Sequence, residues 1–254
     1  MSSVTWAFTG TLFPFLMTLT GAGSVFLFKR QALQQKSALF LHFAGGVMLA
    51  SSVFSLILPA IDKTTDSPFF PLLIGMAAGA IFLLMLEPFA HRGFFRQLPG
   101  TSALKGASAM TFLSITLHNI PEGMAVGLSF ALAAKGEIPL MSAVTLALGI
   151  GFQNLPEGAA VALPLCRDGI SRFRAFLMGA FSGVMEPLAG VMAALLLSRA
   201  QMLLPWMMHF SAGAMIYVTF REVLTARQET HSPLPALCAF LGFLLMTVMD
   251  VMLG

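Results

Sequence analysis

Two stretches of this chain carry residues able to hold a cation. HNIPEGMAV begins at His118 and QNLPEGAAV at Gln153, 35 residues further on. Each sets an imidazole or amide, an Asn, a Pro and a Glu inside a long apolar run. His118 and Glu122 stand at i, i+4 and Asn119 and Glu122 at i, i+3, so on a helix all three project from one face. Gln153, Asn154 and Glu157 repeat that geometry. Imidazole nitrogen and carboxylate oxygen suit zinc and neighbouring transition metals, and amide oxygens add harder donors. The repetition predicts two helices that present matching faces to one shared ligand, most simply a metal ion. Carboxylates bind a cation only when deprotonated, so affinity is expected to fall as pH falls.

The elements that must position these residues are membrane helices. Of 254 residues, 57% are hydrophobic and 10% charged, and the mean hydropathy is +0.86. A soluble domain would carry roughly a quarter charged residues. Composition therefore predicts an all-α integral membrane protein. A net charge of +3 is no nucleic-acid signal, and the partners expected are divalent metal ions and the lipid bilayer. A span needs about 20 predominantly apolar residues. Eight runs meet that test, at about 5–28, 38–61, 69–90, 107–134, 138–165, 173–198, 203–226 and 234–253, joined by short connections. Residues 1–254 are thus expected to form a single transmembrane domain of eight helices. No Lys or Arg precedes Lys29, so the first run lacks the basic region of a signal peptide and is read as a retained span.

Orientation follows from the basic residues. Eleven of them, including Lys29, Lys36, Arg92, Lys105, Arg167 and Arg174, fall at the odd connections, and only Lys63, Lys135 and Arg199 at the even ones. Positive residues favour the cytoplasmic side, which predicts exoplasmic termini. Acidic residues within or at the ends of the spans are Glu87, Glu122, Glu157, Glu186, Glu222 and Asp250. Glu122, Glu157 and Glu186 fall near the centres of spans four, five and six, where they could meet at a common depth. Ionisable groups there are functional candidates by default. Three carboxylates in one apolar pocket repel each other, and a divalent cation supplies the missing charge. Pro121 and Pro156 each free the carbonyl one turn earlier, at Leu117 and Phe152. Gly123 and Gly158, one after each Glu, allow close helix approach.

Blander readings compete with some of these. The twin motifs could be kinked helices held by interhelical hydrogen bonds, but three mid-depth carboxylates serve no packing purpose. Cys166 and Cys238 have neither CxxC nor Cys/His spacing and are read as packing residues. Glu87, His91 and Glu222 divide between solvated helix ends and an exit path, and Asp250 between solvation and an interhelical hydrogen bond. His42, His209 and His231 are placed in loops and given no role.

The HNIPEG, QNLPEG and MEPLAG stretches on spans four, five and six, with their order and spacing, resemble the ZIP family of zinc and iron transporters. The likeness extends over essentially the whole chain, on the side of prokaryotic members without a long His-rich cytoplasmic loop. It implies a metal site between spans four, five and six, in the form of a binuclear centre midway through the membrane. His118, Glu122, Gln153 and Glu157 would bind one ion, with Met48 on span two as a soft ligand. Asn119, Glu122, Asn154, Glu157 and Glu186 would bind the other, so that Glu122 and Glu157 bridge. It further implies metal entry into the cytoplasm by alternating access, with spans one, four, five and six moving against the rest, and a homodimer. Many relatives carry His where this chain has Gln153, some carry Asp where it has Asn154, and Arg221 stands where a His is often found.

The expected activity is uptake of a divalent transition metal, zinc first, with iron, manganese, cobalt and cadmium compatible with the donors, across the inner cell membrane. No enzymatic activity and no cofactor beyond the transported metal are expected. The alternative is a membrane-embedded metal-dependent hydrolase, although no HExxH motif is present. A proton-coupled carrier of an organic solute fits less well, because the twin donor faces offer little to grip an organic group.

Overall fold

A computed structural model describes the backbone of residues 2–28, 30–64, 67–91, 106–225 and 233–253; the side chains of 30–38, 89–91, 106–107, 198, 222–225 and 253 fall outside the described set. Among the described residues there is no strand. The helices are α1 (Ser3–Gly23), α2 (Arg30–Ser51), α3 (Leu58–Asp62), α4 (Phe69–His91), α5 (Gly106–Ala134), α6 (Leu140–Arg167), α7 (Arg172–Leu195), α8 (Leu197–Thr225) and α9 (Leu234–Leu253). A 3₁₀ turn, Ser24–Phe26, extends α1, and a π-helical stretch, Ser52–Ile57, joins α2 to α3 in one rod. Counted as rods, the described helices number eight. Among the described residues, five stretches are long and apolar enough to cross a membrane: Leu39–Asp62, Phe69–Pro88, Arg172–Leu195, Arg199–Arg221 and Leu234–Met252. The chain is a helical, multi-pass membrane protein.

The π-helical stretch has a local cause. Pro59 has no N–H to return to the carbonyl four residues earlier, and the Leu58 N–H instead bonds the Val53 carbonyl, five residues back. Ser52 Oγ donates to the Met48 carbonyl at 2.7 Å. Such bulges turn the following side chains to a new face, here those of Ser55 and Leu56. Two of the turns are made at glycine. Gly136 (φ 76°) and Gly169 (φ 103°) take the left-handed backbone that ends α5 and α6.

The rods pack as two groups. α1, α5, α6 and α7 form a four-helix bundle, whereas α2 lies along α9 and α4 along α8 to make a frame beside it. α5 meets the frame at α8, and α6 meets it at α2. Small residues let backbones touch within each group. A Cβ on Gly127 would lie 2.7 Å from the Gly190 carbonyl carbon (α5 on α7), and one on Gly21 would lie 2.9 Å from that of Leu155 (α1 on α6). In the frame, Gly46 meets Ala239, Gly242 meets Phe43, and Gly79 and Gly213 join α4 to α8. Two helices of the frame, α4 and α9, are the most exposed of the apolar spans. Only 22% of the α4 span and 11% of the α9 span is buried inside the protein, so these helices present Phe70, Leu73, Ile81, Phe240 and Leu244 outward.

Candidate metal centre

Span four is α5 and span five is α6, and their two motifs face each other. His118, Asn119, Glu122, Gln153, Asn154, Glu157 and Glu186 are each at most 1% exposed. Their convergence begins with the motif glycines. A methyl on Gly123 would sit 2.5 Å from the Glu186 Cα, so only glycine lets α7 bring Glu186 against α5. A methyl on Gly158 would sit 2.9 Å from the Ala22 nitrogen, beside the Thr18 carbonyl, so α6 and α1 touch in the same way. Thr18 Oγ1 then donates to Glu186 Oε1 at 3.0 Å, closing the ring α5–α7–α1–α6 with a polar contact.

At the centre, ligand atoms of His118, Glu122 and Glu157 all lie within 4.8 Å of one another. His118 Nε2 is 3.0 Å from Glu122 Oε1 and 3.4 Å from Glu157 Oε1, without hydrogen-bond alignment to either. Gln153 Nε2 donates to Glu122 Oε1. Asn119 Nδ2 donates to the Ser182 carbonyl at 2.9 Å, leaving Oδ1 without a partner. Glu186 stands outside the group of three, held by Thr18, with Oε2 unpartnered. Glu122 Oε2, both oxygens of Glu157, and the oxygen and nitrogen of Asn154 also lack a hydrogen-bond partner. Buried polar atoms are paired in all but a few cases per 100 residues. Here a run of them is left open in one place, and all but the Asn154 nitrogen carry lone pairs directed at no protein donor. A divalent cation would satisfy such a set of oxygens. Met48 is 4% exposed and packs in the largest apolar cluster, with Ala44, Ile115 and Ala159.

Two residues outside the twin motifs join the site. Ser55, on the π-helical stretch, lies 2.8 Å from both Gln153 Oε1 and Asp250 Oδ1 and can donate its one hydroxyl proton to either. Asp250 is thus placed to take the interhelical hydrogen bond weighed for it in the sequence. A cleft of about 200 Å³ runs from Glu122 and Pro121 past Ser55 and Met208 to Asp250 and Lys63. At the opposite end of the frame, Arg221 Nη1 pairs with Glu87 Oε2 at 2.5 Å, and Tyr217 Oη donates to the same oxygen at 2.9 Å. The side chains of His91 and Glu222, and all of His231, lie outside the described residues.

The histidines need a correction. His42 and His209 are not in loops: they sit on α2 and α8, 5% and 0% exposed. Both fall inside spans two and seven, and the apolar residues flanking them (Leu41 and Phe43, Met208 and Phe210) were the available signal.

A helical membrane protein with a buried cluster of metal-ligand side chains between two motif-bearing helices belongs, as a class, with candidate metal-handling membrane proteins. Residues 97–250 match the family model described as ZIP Zinc transporter. The chain is 32% identical to the zinc transporter ZIP11 of Homo sapiens over 100% of this chain and 98% of that protein. It is 34% identical to the zinc transporter GufA of Myxococcus xanthus (79% of this chain, 81% of that one) and 34% identical to the zinc transporter ZIPB of Bordetella bronchiseptica (84% and 71%). The chain belongs to the ZIP family, a family of divalent metal transporters rather than enzymes.

Proposed function

We propose that the chain takes up a divalent transition metal, zinc first, into the cytoplasm by alternating access. The observation that carries this is the set of buried, unpartnered donor atoms on His118, Glu122, Glu157, Asn119, Asn154 and Glu186. All eight rods cross the membrane of the cell as a single domain, with both termini exoplasmic, as the distribution of Lys and Arg favours. His118, Glu122, Gln153 and Glu157, with Met48 as a soft neighbour, take one ion. Asn119, Glu122, Asn154, Glu157 and Glu186 take a second, and Glu122 and Glu157 bridge. Gln153 binds through its amide oxygen, which requires the amide to turn from the orientation in which its nitrogen donates to Glu122. Iron, manganese, cobalt and cadmium fit the same donors. Two copies form a homodimer, as expected from the family resemblance.

The packing supports a two-body movement. The glycine approaches described above join helices within the bundle or within the frame, from Gly127 on Gly190 to Gly213 on Met76, and never the one to the other. Backbones in contact resist separation, whereas a boundary of side chains can slide. The cleft that reaches Glu122 from the Lys63 end supports entry from the exoplasmic side. There the ion exchanges water for protein donors as it passes Asp250.

Uptake of zinc, iron(II), manganese and cadmium into proteoliposomes tests the proposal, with wild type compared with Glu122→Ala/Glu157→Ala. Saturable uptake in wild type and none in the double variant is expected. Equal uptake by the two proteins, or none by correctly inserted wild type, would overturn it.

A further inference from the structure

His118 has two ring nitrogens, and the proposed metal centre uses one. Nε2 faces Glu122 and Glu157. Nδ1 lies 3.3 Å from Ser211 Oγ, a buried hydroxyl on α8. Ser52, Thr116 and Thr247 return their hydroxyls to the carbonyl four residues earlier, the usual local outlet for a hydroxyl inside a helix. Ser211 instead reaches across to the imidazole of another helix. Its own position is fixed from behind, because Gly213 lets α8 rest against the α4 backbone at Met76, and Gly79 meets Phe210.

Resting on the metal reading above, we infer that Ser211 is the positioning residue that makes His118 a metal ligand. An imidazole binds a metal through an unprotonated nitrogen, and the partner of its other nitrogen decides which tautomer is present. When the Ser211 hydroxyl accepts the Nδ1–H, the Nε2 lone pair is free and the ring plane is aimed at the two carboxylates. Without that partner, the ring can turn or carry its proton on Nε2 and direct an N–H at the ion. The serine also stands in a particular place. His118 belongs to the bundle and Ser211 to the frame, so the bond exists in only one disposition of the two. A shift of one helical turn, about 5.4 Å, would carry Nδ1 out of reach. The site therefore holds its ion tightly where the serine meets the ring and more weakly once the bundle has moved, which favours release after translocation.

Calorimetric zinc titration of the detergent-purified full chain tests this, using wild type, Ser211→Ala, Ser211→Thr, Ser211→Val and Glu122→Ala. Thr and Val have the same shape, so that pair isolates the hydroxyl should Ala fold poorly. Orienting partners of metal-bound histidines typically carry about 10–100-fold in affinity, so Ser211→Ala and Ser211→Val should weaken zinc by about 10-fold or more, and Ser211→Thr should restore most of it. The ¹⁵N shifts of the His118 ring in the zinc-loaded protein should show a single Nδ1–H tautomer in wild type and its loss in the Val variant. Wild-type affinity in both Ala and Val variants, or an unchanged tautomer, would overturn the inference and leave the metal centre standing. Failure of wild type to bind zinc, or equal binding by Glu122→Ala, would instead remove the metal reading and this inference with it.

Discussion

Glu122 and Asn154 are the two residues whose surroundings differ most instructively. Glu122 Oε1 meets the Gln153 amide and the edge of His118, while Oε2 has no partner. Asn154 has neither its oxygen nor its nitrogen satisfied, yet it carries no charge. Truncating Glu122 would take from the ion a full negative charge and a donor that reaches both proposed positions; truncating Asn154 would take one neutral oxygen. Metal sites lose about 10–100-fold when even an outer partner is removed. Glu122→Ala should therefore lower the initial rate of zinc uptake by at least about 100-fold, and Asn154→Ala by about 10-fold. Rates measured in proteoliposomes at matched protein orientation decide it, and the reverse order would remove Glu122 from its bridging place. That His118 shares a helix face with Glu122, and Gln153 with Glu157, was legible from spacing alone, because i, i+3 and i, i+4 neighbours share a helix face wherever the helix goes. Ser55 as the partner of Gln153, and Asp250 as the partner of Ser55, were not legible. Each is a small polar residue in a mostly apolar run, and what it faces is decided by helices that are distant in sequence.

Helix approach is set by residues with no chemistry of their own. Gly123 and Gly158 stand where a methyl would enter the backbone of the facing helix, at Glu186 and at Thr18 and Ala22. Gly23, at the end of α1, has nothing within 4 Å of where its Cβ would be. Alanine is preferred to glycine in a helix by about 0.5–1 kcal/mol, so Gly23→Ala should leave the thermal midpoint unchanged or raise it slightly. Gly123→Ala should lower it and should also depress zinc binding, because Glu186 would move away with α7. Thermal unfolding in detergent, followed with a zinc titration, separates the two effects; a Gly123→Ala protein as stable and as tight as wild type would refute the close approach. At this scale the sequence was legible in the rods and silent on their irregularity. The run at 38–61 reads as one span. The π-helical stretch within it follows from Pro59, but the direction in which it turns Ser55 follows from packing, since one added residue rotates everything beyond it by about 100°.

Over the whole molecule, the arrangement of charge and of access should agree. The cleft from Glu122 ends at Lys63 and Asp250, and Lys63 closes the rod that begins at Arg30. Lys135, 46% exposed, lies in the turn after α5, at the end of a different helix but at an even connection like Lys63. Arg172 opens α7 at an odd connection. If the excess of Lys and Arg at odd connections marks the cytoplasmic face, then Lys63 and Lys135 face outward and Arg172 inward. Replacing the free cysteines, buried Cys166 and half-buried Cys238, by alanine gives a background for single-cysteine labelling in intact cells. Lys63→Cys and Lys135→Cys should react with a membrane-impermeant maleimide, and Arg172→Cys only after permeabilisation. On that topology the two faces are also tied to the direction of transport, because the open cleft and the outward lysines would be at the same end. Zinc added outside should slow labelling at Ser55→Cys, beside the cleft, and leave Lys135→Cys unaffected. Labelling of Arg172→Cys in intact cells would invert the topology, and the same cleft would then be the cytoplasmic exit of an inward-facing carrier.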